Sequence, residues 1–149
     1  MKRSITAVAV GATLLTALTC GAAAADPRPA DAWLRQNVTG TWACPDGYIC
    51  LYENYQANKG APGWMLALRG DIEHLDWYSF NDRTSSVVNR SKNTAILYGD
   101  YNYGGPSATI RPGTKYSFEN NVPMNNDWTS SVRVRPGDTG DDWSDDGWG

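Results

Sequence analysis

One hexapeptide pattern, Asn-Asp-x-Thr-Ser-Ser, occurs twice in this chain, at residues 81–86 and 126–131. The copies start 45 residues apart (residue 126 against residue 81), and each follows a Leu-Tyr-x-x-Tyr segment, at residues 51–55 and 97–101. A repeat of this length indicates two similar structural units in one chain. A β-propeller has a similar period but needs at least four blades, so two copies favour a pair of sheet motifs that close one core.

Short runs rich in β-branched and aromatic residues predict the strands of these units. They lie at residues 48–52, 86–88, 95–98 and 131–134. Beyond residue 25 no stretch of the sequence shows sustained helical periodicity, and the best helix candidates are one or two turns at residues 30–36 and 72–77. The sequence therefore predicts an all-β fold.

The first 25 residues have the pattern of a secretory signal peptide. Two basic residues precede an apolar stretch at residues 5–18, and three alanines at residues 23–25 offer a cleavage site before Asp26. Lipidation of Cys20 is the alternative, and it is disfavoured because Thr19 and Ala17 make a poor lipidation sequence. We expect a secreted, extracellular protein with no membrane association.

Removal of the signal peptide leaves two cysteines, Cys44 and Cys50. An even number of cysteines in an oxidising compartment favours a disulfide bond. A Cys/His metal site is disfavoured because no further cysteine follows and His74 is the only histidine. We therefore predict a Cys44–Cys50 disulfide at the start of the first strand.

Charge divides the mature chain into a neutral part and an acidic tail. Residues 26–135 hold 11 basic and 11 acidic residues, and five aspartates follow within residues 136–149. We assign residues 26–43 to an N-terminal linker and residues 136–149 to a disordered tail, whose Trp143 and Trp148 make a docking peptide the alternative. The absence of a basic stripe disfavours nucleic acid as a partner.

The repeats resemble the two Greek-key motifs of the microbial, calcium-binding βγ-crystallins. The pattern Tyr98-x-Asp100-x-Asn102-Tyr103-x-Gly105 is similar to the folded hairpin of that superfamily, and both hexapeptides match its calcium motif. The first hairpin departs from the pattern, with Ala57 in place of an aromatic residue and Gly60 one residue late. The resemblance implies one β-sandwich domain at residues 44–135, with motif one at 44–89 and motif two at 95–135.

Calcium prefers six to eight oxygen ligands, and each hexapeptide concentrates hydroxyl, amide and carboxylate oxygens. The resemblance implies two Ca²⁺ ions, with side-chain oxygens from Ser85 and Ser130 and main-chain carbonyls from Arg83 and Trp128. Further oxygens would come from the hairpin turns near Tyr55 and Tyr101, and the Arg83 side chain must point away from the ion. The alternative is that the motif residues only make turns and hold the hairpins. Those motif residues are Asn81, Asp82, Ser86, Asn126, Asp127 and Ser131.

A second resemblance begins at the cysteines. The segment Cys-Pro-x-Gly-Tyr-x-Cys-Leu-Tyr-Glu at residues 44–53 is similar to the secreted bacterial metalloproteinase inhibitors, family thirty-six of the inhibitor classification, which share the Greek-key fold. It implies an inhibitor whose partner is an extracellular metalloprotease. Inhibitory members present the reactive bond on a second disulfide-closed loop, and this chain has no second cysteine pair. A calcium-stabilised binding or structural module is the alternative function.

Catalysis is disfavoured by the residue inventory. A serine or cysteine hydrolase needs a base beside its nucleophile, and His74 is the only histidine available. A glycosidase with a carboxylate pair remains open, because the distance between carboxylates is not visible in a sequence. We expect a monomeric protein that is not an enzyme.

Overall fold

The computed structural model describes residues 28–29 and 31–137. The predicted signal peptide and residues 138–149 of the predicted tail lie outside the described residues. The described part contains eight strands and four short helical turns. The strands are β1 Ala32–Val38, β2 Ile49–Tyr52, β3 Gly63–Leu68, β4 Ser86–Asn89, β5 Asn93–Tyr98, β6 Ser107–Ile110, β7 Lys115–Ser117 and β8 Ser131–Pro136. The helical turns are Thr41–Ala43, Tyr55–Asn58, Leu75–Tyr78 and Tyr101–Tyr103.

The strands form two antiparallel sheets, one in the order β1-β3-β2-β4-β7 and one in the order β6-β5-β8. The two repeats exchange one segment each. β7 of the second repeat pairs with β4 of the first, while Ile72 of the first repeat bridges Val132 of the second. The two main-chain bonds of this bridge measure 2.8 and 2.9 Å. Each sheet therefore contains chain from both repeats.

The main core lies between the two sheets, where alternate side chains of each strand face inward. In β2, Ile49 and Leu51 face this core, whereas Cys50 and Tyr52 face a second apolar cluster. The second cluster lies on the other side of the larger sheet, beneath the turn that joins β1 to β2, and it contains the Cys44–Cys50 disulfide. The predicted disulfide is thus present, with a Cα–Cα distance of 5.8 Å.

The all-β prediction is confirmed, and all four predicted strands are present. The prediction of a helix at residues 30–36, within a linker at 26–43, is wrong. Ala32–Val38 forms β1, which pairs with β3 at the edge of the larger sheet. Trp33 and Leu34 pack on opposite faces of that sheet, so sheet packing outweighs the local helix preference. The second predicted helix, at residues 72–77, is a single 3-10 turn at Leu75–Tyr78.

Candidate functional site

The last serine of each hexapeptide holds a folded hairpin. Ser86 Oγ accepts a 2.9 Å bond from the Ala57 N–H and donates a 2.6 Å bond to the Asn54 carbonyl. Ser131 Oγ makes the matching bonds at 2.9 Å and 2.7 Å, from the Tyr103 N–H and to the Asp100 carbonyl. These serines therefore have the structural role that the alternative interpretation gave them.

The first hairpin is longer than its sequence alignment suggested. Tyr52 pairs with Met65 across 13 residues, whereas its counterpart Tyr98 pairs with Ser107 across nine. The equivalence of Gly60 with Gly105, drawn from the sequence, is therefore wrong. Gly63 takes the place of Gly105, since the residues that follow them, Trp64 and Pro106, accept equivalent main-chain bonds from Glu53 and Gly99.

The absence of an aromatic residue at Ala57 has a packing cause. Ala57 is fully buried, and its carbonyl accepts a 2.7 Å bond from the Gly40 N–H of the β1–β2 turn. The turn covers the hairpin at this point, so a large ring has no room. Asn58 secures the same junction, because its side-chain amide donates to the Val38 carbonyl at 3.0 Å and the Trp64 carbonyl at 3.2 Å.

The two hexapeptide loops lie side by side and exchange contacts. Asp82 N–H donates to the Thr129 carbonyl at 3.1 Å, and Asp127 N–H donates to the Thr84 carbonyl at 3.2 Å. Both aspartates adopt left-handed backbone conformations, with φ of 51° and 54°. The loops are thus related by an approximate two-fold arrangement, and each aspartate is carried towards the other motif.

Each aspartate meets the first serine of the opposite hexapeptide. Asp127 Oδ1 lies 3.0 Å from Ser85 Oγ, and Asp82 Oδ1 lies 3.3 Å from Ser130 Oγ. Ser85 Oγ is also 2.7 Å from the Glu53 carbonyl oxygen. A hydroxyl has one hydrogen to donate, so the Ser85 hydroxyl cannot bond to both acceptors at once. This concentration of oxygen atoms fits a hard cation.

The asparagines of the two motifs orient these aspartates. Asn81 Nδ2 donates to Asp82 Oδ2, and Asn126 Nδ2 donates to Asp127 Oδ2, both at 2.7 Å. The second carboxylate oxygen of each aspartate is thereby left to face the opposite serine. The Oδ1 atoms of both asparagines, and Thr84 Oγ1, are buried without a hydrogen-bonding partner in the described structure. Buried oxygen atoms without donors are also consistent with a cation nearby.

The Arg83 side chain is directed to Glu53. Its guanidinium pairs with the Glu53 carboxylate, donates to the Ser79 carbonyl at 3.3 Å and stacks 4.1 Å above the Trp64 ring. Partial burial raises the pKa of Glu53, but the bonds from Arg83 and the Trp64 N–H, with the Arg83 charge, outweigh it and hold that pKa below its usual value. The charge of Arg83 is therefore balanced locally.

In the second motif, Trp128 and Gly99 occupy the positions that Arg83 and Glu53 occupy in the first. Trp128 is exposed and lies against Gly99, the counterpart of Glu53, with its Cδ2 atom 3.6 Å from where a Cβ on Gly99 would be. The two candidate sites are therefore not identical. The first is flanked by the Arg83–Glu53 ion pair, and the second by the indole of Trp128.

Tyr55 and Tyr101, the two tyrosines proposed from the hairpins, have a less direct relation to the serine–aspartate pairs. Tyr101 stacks on His74 with ring centroids 4.6 Å apart, and its carbonyl accepts a bond from the Gly104 N–H at 3.3 Å. Partial burial, followed by the charges of Asp76 and Asp82, raises the pKa of the Tyr101 phenol. The hairpin oxygen at Ser85 comes from Glu53 rather than from Tyr55. Sequence analysis did not identify the Glu53 carbonyl, which accepts from the Ser85 hydroxyl, and it named the aspartates only as motif residues.

Among residues 28–29 and 31–137, no three or more His, Cys, Asp or Glu side chains form a metal-binding group. Each candidate site instead combines one carboxylate with a serine hydroxyl, and the site at Ser85 adds the Glu53 carbonyl oxygen. Such a donor set suits Ca²⁺, which accepts neutral oxygen ligands, and disfavours transition metals, which prefer imidazole or thiolate. The described residues also contain no helix that is long and apolar enough to cross a membrane.

Comparison with known sequences finds two similarities. Residues 37–110 match the model of Peptidase inhibitor family I36. The chain is also 34% identical over 83 residues to an exoglucanase-2 from Thermoclostridium stercorarium. That alignment covers 46% of this chain and 9% of the exoglucanase, so it concerns a small part of the larger protein.

Comparison with solved structures identifies the fold. A structure described as "Evolution of the eye lens beta-gamma-crystallin domain fold" superposes with a TM-score of 0.56 at 20% identity, covering 71% of this chain and all of that one. A βγ-crystallin from Ciona intestinalis superposes with a TM-score of 0.52 at 28% identity, covering 60% of this chain and all of that one. The chain therefore has the fold of the βγ-crystallin domains and resembles Peptidase inhibitor family I36 over residues 37–110.

Proposed function

We propose that the protein is a secreted inhibitor of an extracellular metalloprotease, built on a calcium-binding βγ-crystallin domain. The observation that carries the proposal is the family match at residues 37–110, which includes the disulfide and both strands of the first hairpin. The family supports a peptidase as the partner. The metalloprotease class and the secreted location rest on the sequence resemblance and on the signal-peptide pattern.

A rigid surface favours inhibition because an ordered loop loses little conformational entropy when it enters a protease cleft. Here the matched segment is attached at several points. Cys44 and Cys50 are bonded and fully buried. The Tyr48 N–H donates to the Pro45 carbonyl at 3.2 Å, and the Tyr48 carbonyl accepts from the Arg90 N–H at 2.8 Å. These constraints support a preorganised binding surface at this end of the larger sheet.

Calcium binding is the second part of the proposal. Asp127 and Ser85, with the Glu53 carbonyl, would hold one ion, and Asp82 and Ser130 would hold the other. When bound, Ca²⁺ supplies positive charge that balances the two carboxylates. Since each site takes oxygens from both motifs, binding would fasten the motifs together and stabilise the folded state.

The family and the fold favour a protein that is not a catalyst. His74 is stacked between Trp77 and Tyr101, with ring centroids 5.0 and 4.6 Å away, and its Nδ1 lies 3.7 Å from Asp76. A calcium-stabilised binding or structural module without inhibition is the alternative function.

The test is an inhibition assay on secreted, purified protein. Metalloproteases, including a thermolysin-like enzyme, and serine proteases should be titrated with the protein. We expect stoichiometric inhibition of a metalloprotease, weakened when the Cys44–Cys50 bond is removed and retained when the chain is ended after residue 137. If micromolar protein inhibits no protease, the module function replaces the inhibitor function.

Secretion is tested separately by the intact mass of the exported protein. We expect a mature chain that begins at or near Asp26, with one disulfide and no lipid. An exported chain that retains Cys20 with a lipid attached would contradict the signal-peptide assignment.

A further inference from the structure

Trp42 is the most exposed large hydrophobic side chain in the described part of the chain, with 74% of its surface accessible. Single exposed hydrophobic residues are ordinary, so the exposure of Trp42 gains meaning from its ordered turn and from its place in the segment that matches the inhibitor family. Tryptophan is among the residues that contribute most to binding when they are buried in a partner's pocket. The position of Trp42 therefore points to a contact surface.

The backbone that carries Trp42 is held on both sides. The residue lies in the 3-10 turn Thr41–Ala43. Before it, Gly40 donates a 2.7 Å bond to the Ala57 carbonyl and accepts a 3.2 Å bond from the Tyr52 hydroxyl. After it, Ala43 and Cys44 are buried in the second apolar cluster. The turn is thus part of the disulfide-stabilised layer.

The indole packs against Gly40. A Cβ atom on Gly40 would lie 2.7 Å from Trp42 Nε1 and 2.8 Å from Cδ1, so a side chain there would require the ring to move. Gly40 also has a φ of 82°, a conformation that favours glycine. The ring therefore packs against the Gly40 backbone while most of its surface remains open. The turn that carries the ring is ordered before any partner binds, which lowers the entropy lost on association.

We propose that Trp42 is the side chain by which the protein docks on its peptidase, entering an apolar pocket beside the protease cleft. The assignment rests on the proposed inhibitor function and names its contact surface. Residues 37–44 contain no charged side chain, which suits an apolar pocket, and they lie at the start of the segment that matches the peptidase-inhibitor model. The proposed contact is non-covalent.

The test compares inhibition constants of variants against the same thermolysin-like metalloprotease. Trp42→Ala should weaken inhibition about 30-fold or more, the loss typical of an aromatic anchor. The inhibition constant of Trp42→Phe should lie between those of the wild type and Trp42→Ala. Val122→Ala is the matched control, because Val122 is also an exposed hydrophobic residue, at 62%, and lies in a loop outside the matched segment. It should inhibit as the wild type does.

Thermal unfolding separates lost contact from lost fold. All three variants should melt within a few degrees of the wild type, because the exposed Trp42 and Val122 side chains contribute little to the core. If the wild type inhibits and Trp42→Ala inhibits equally well, the docking assignment is wrong and the inhibitor function stands. If Val122→Ala alone loses inhibition, the contact lies on its loop instead. If the wild type inhibits neither this enzyme nor any other protease, both proposals fall.

Discussion

Asp82 Oδ1 and Ser130 Oγ lie 3.3 Å apart, although the two residues are 48 positions apart in the chain. Their counterparts Asp127 and Ser85 make the same contact at 3.0 Å, in the opposite direction along the chain. Each contact joins the two motifs. A cation bound at either pair would therefore be linked to the association of the motifs, and not only to the order of one loop.

Calcium should bind at two sites per chain and stabilise the fold. We expect dissociation constants between about 10⁻⁶ and 10⁻³ M, the range of sensor and extracellular sites. At free calcium about 100 times the dissociation constant, each site should add about 2.7 kcal/mol to the free energy of unfolding. Isothermal calorimetry and melting curves with calcium or chelator measure both effects. No heat of binding, with an unchanged melting temperature, would leave the hexapeptides as structural turns only.

Replacement of the first serines should separate the two sites. Ser130→Arg and Ser85→Arg each remove one hydroxyl oxygen and place a positive charge beside an aspartate, so each should abolish one site in calorimetry. The remaining site should also weaken, since the aspartates and serines come from both loops. A variant that retains two sites would contradict the assignment of that serine.

The last serines should contribute to stability rather than to cation binding. Ser86→Ala leaves the Ala57 N–H without its partner, and Ser131→Ala does the same to Tyr103. Each change should lower the free energy of unfolding by about 1–3 kcal/mol, measured by chemical denaturation without calcium. Ser107→Ala, at an exposed position, is the control and should have little effect. If Ser86→Ala and Ser131→Ala were as stable as the Ser107→Ala control, the hairpins would not depend on these bonds.

Removal of the disulfide should destabilise the protein without changing its topology. The bond closes a short loop, for which the chain-entropy estimate is about 2–3 kcal/mol. A Cys44→Ser/Cys50→Ser variant should show this loss in urea, with a lower midpoint and a still cooperative transition. Both sulfurs are fully buried in the second cluster, so the loosened layer includes the Trp42 turn.

Stability should fall in acid through Glu53. Because its pKa is lower in the folded than in the unfolded protein, its contribution is complete above the ordinary glutamate pKa. That contribution is lost as the pH falls through the ordinary range and then through the folded value. The difference in unfolding free energy between wild type and Glu53→Gln should therefore shrink as the pH falls from 7 to about 3. Arg83→Ala should weaken the same dependence, whereas Glu73→Gln, at an exposed position, should leave it in place.

The strands were predicted correctly where two signals agreed, the repeat and the local enrichment in β-branched and aromatic residues. The strands that became β2, β4, β5 and β8 lie in or beside the repeats, and their β-branched and aromatic residues mark them locally. β3 was not predicted, because its Trp-Met-Leu-Ala-Leu run is buried on both faces and shows no alternation. The sequence predicts a short helix where β1 lies, because only the pairing of this segment with β3 identifies it as a strand.

The candidate site shows the same limit. The hexapeptides located the loops, and the position of Arg83 in the first copy raised the problem of its charge. The solution depends on Glu53 and Trp64, whose proximity to Arg83 comes from the pairing of β2 with β3. The crossing of Asp82 and Asp127 to the opposite serines likewise requires the two loops to be placed side by side, which no local pattern encodes.

The exchange of one segment between the two repeats has a consequence for how the chain can be divided. If the chain were cut between Asn89 and Asn93, the first half would lack β7 and the second would lack the segment that contains Ile72. Each half-chain would then expose a vacant edge that only the other half fills. Produced separately, the halves should remain unfolded and recover the native fold when mixed, so this domain is suited to fragment complementation.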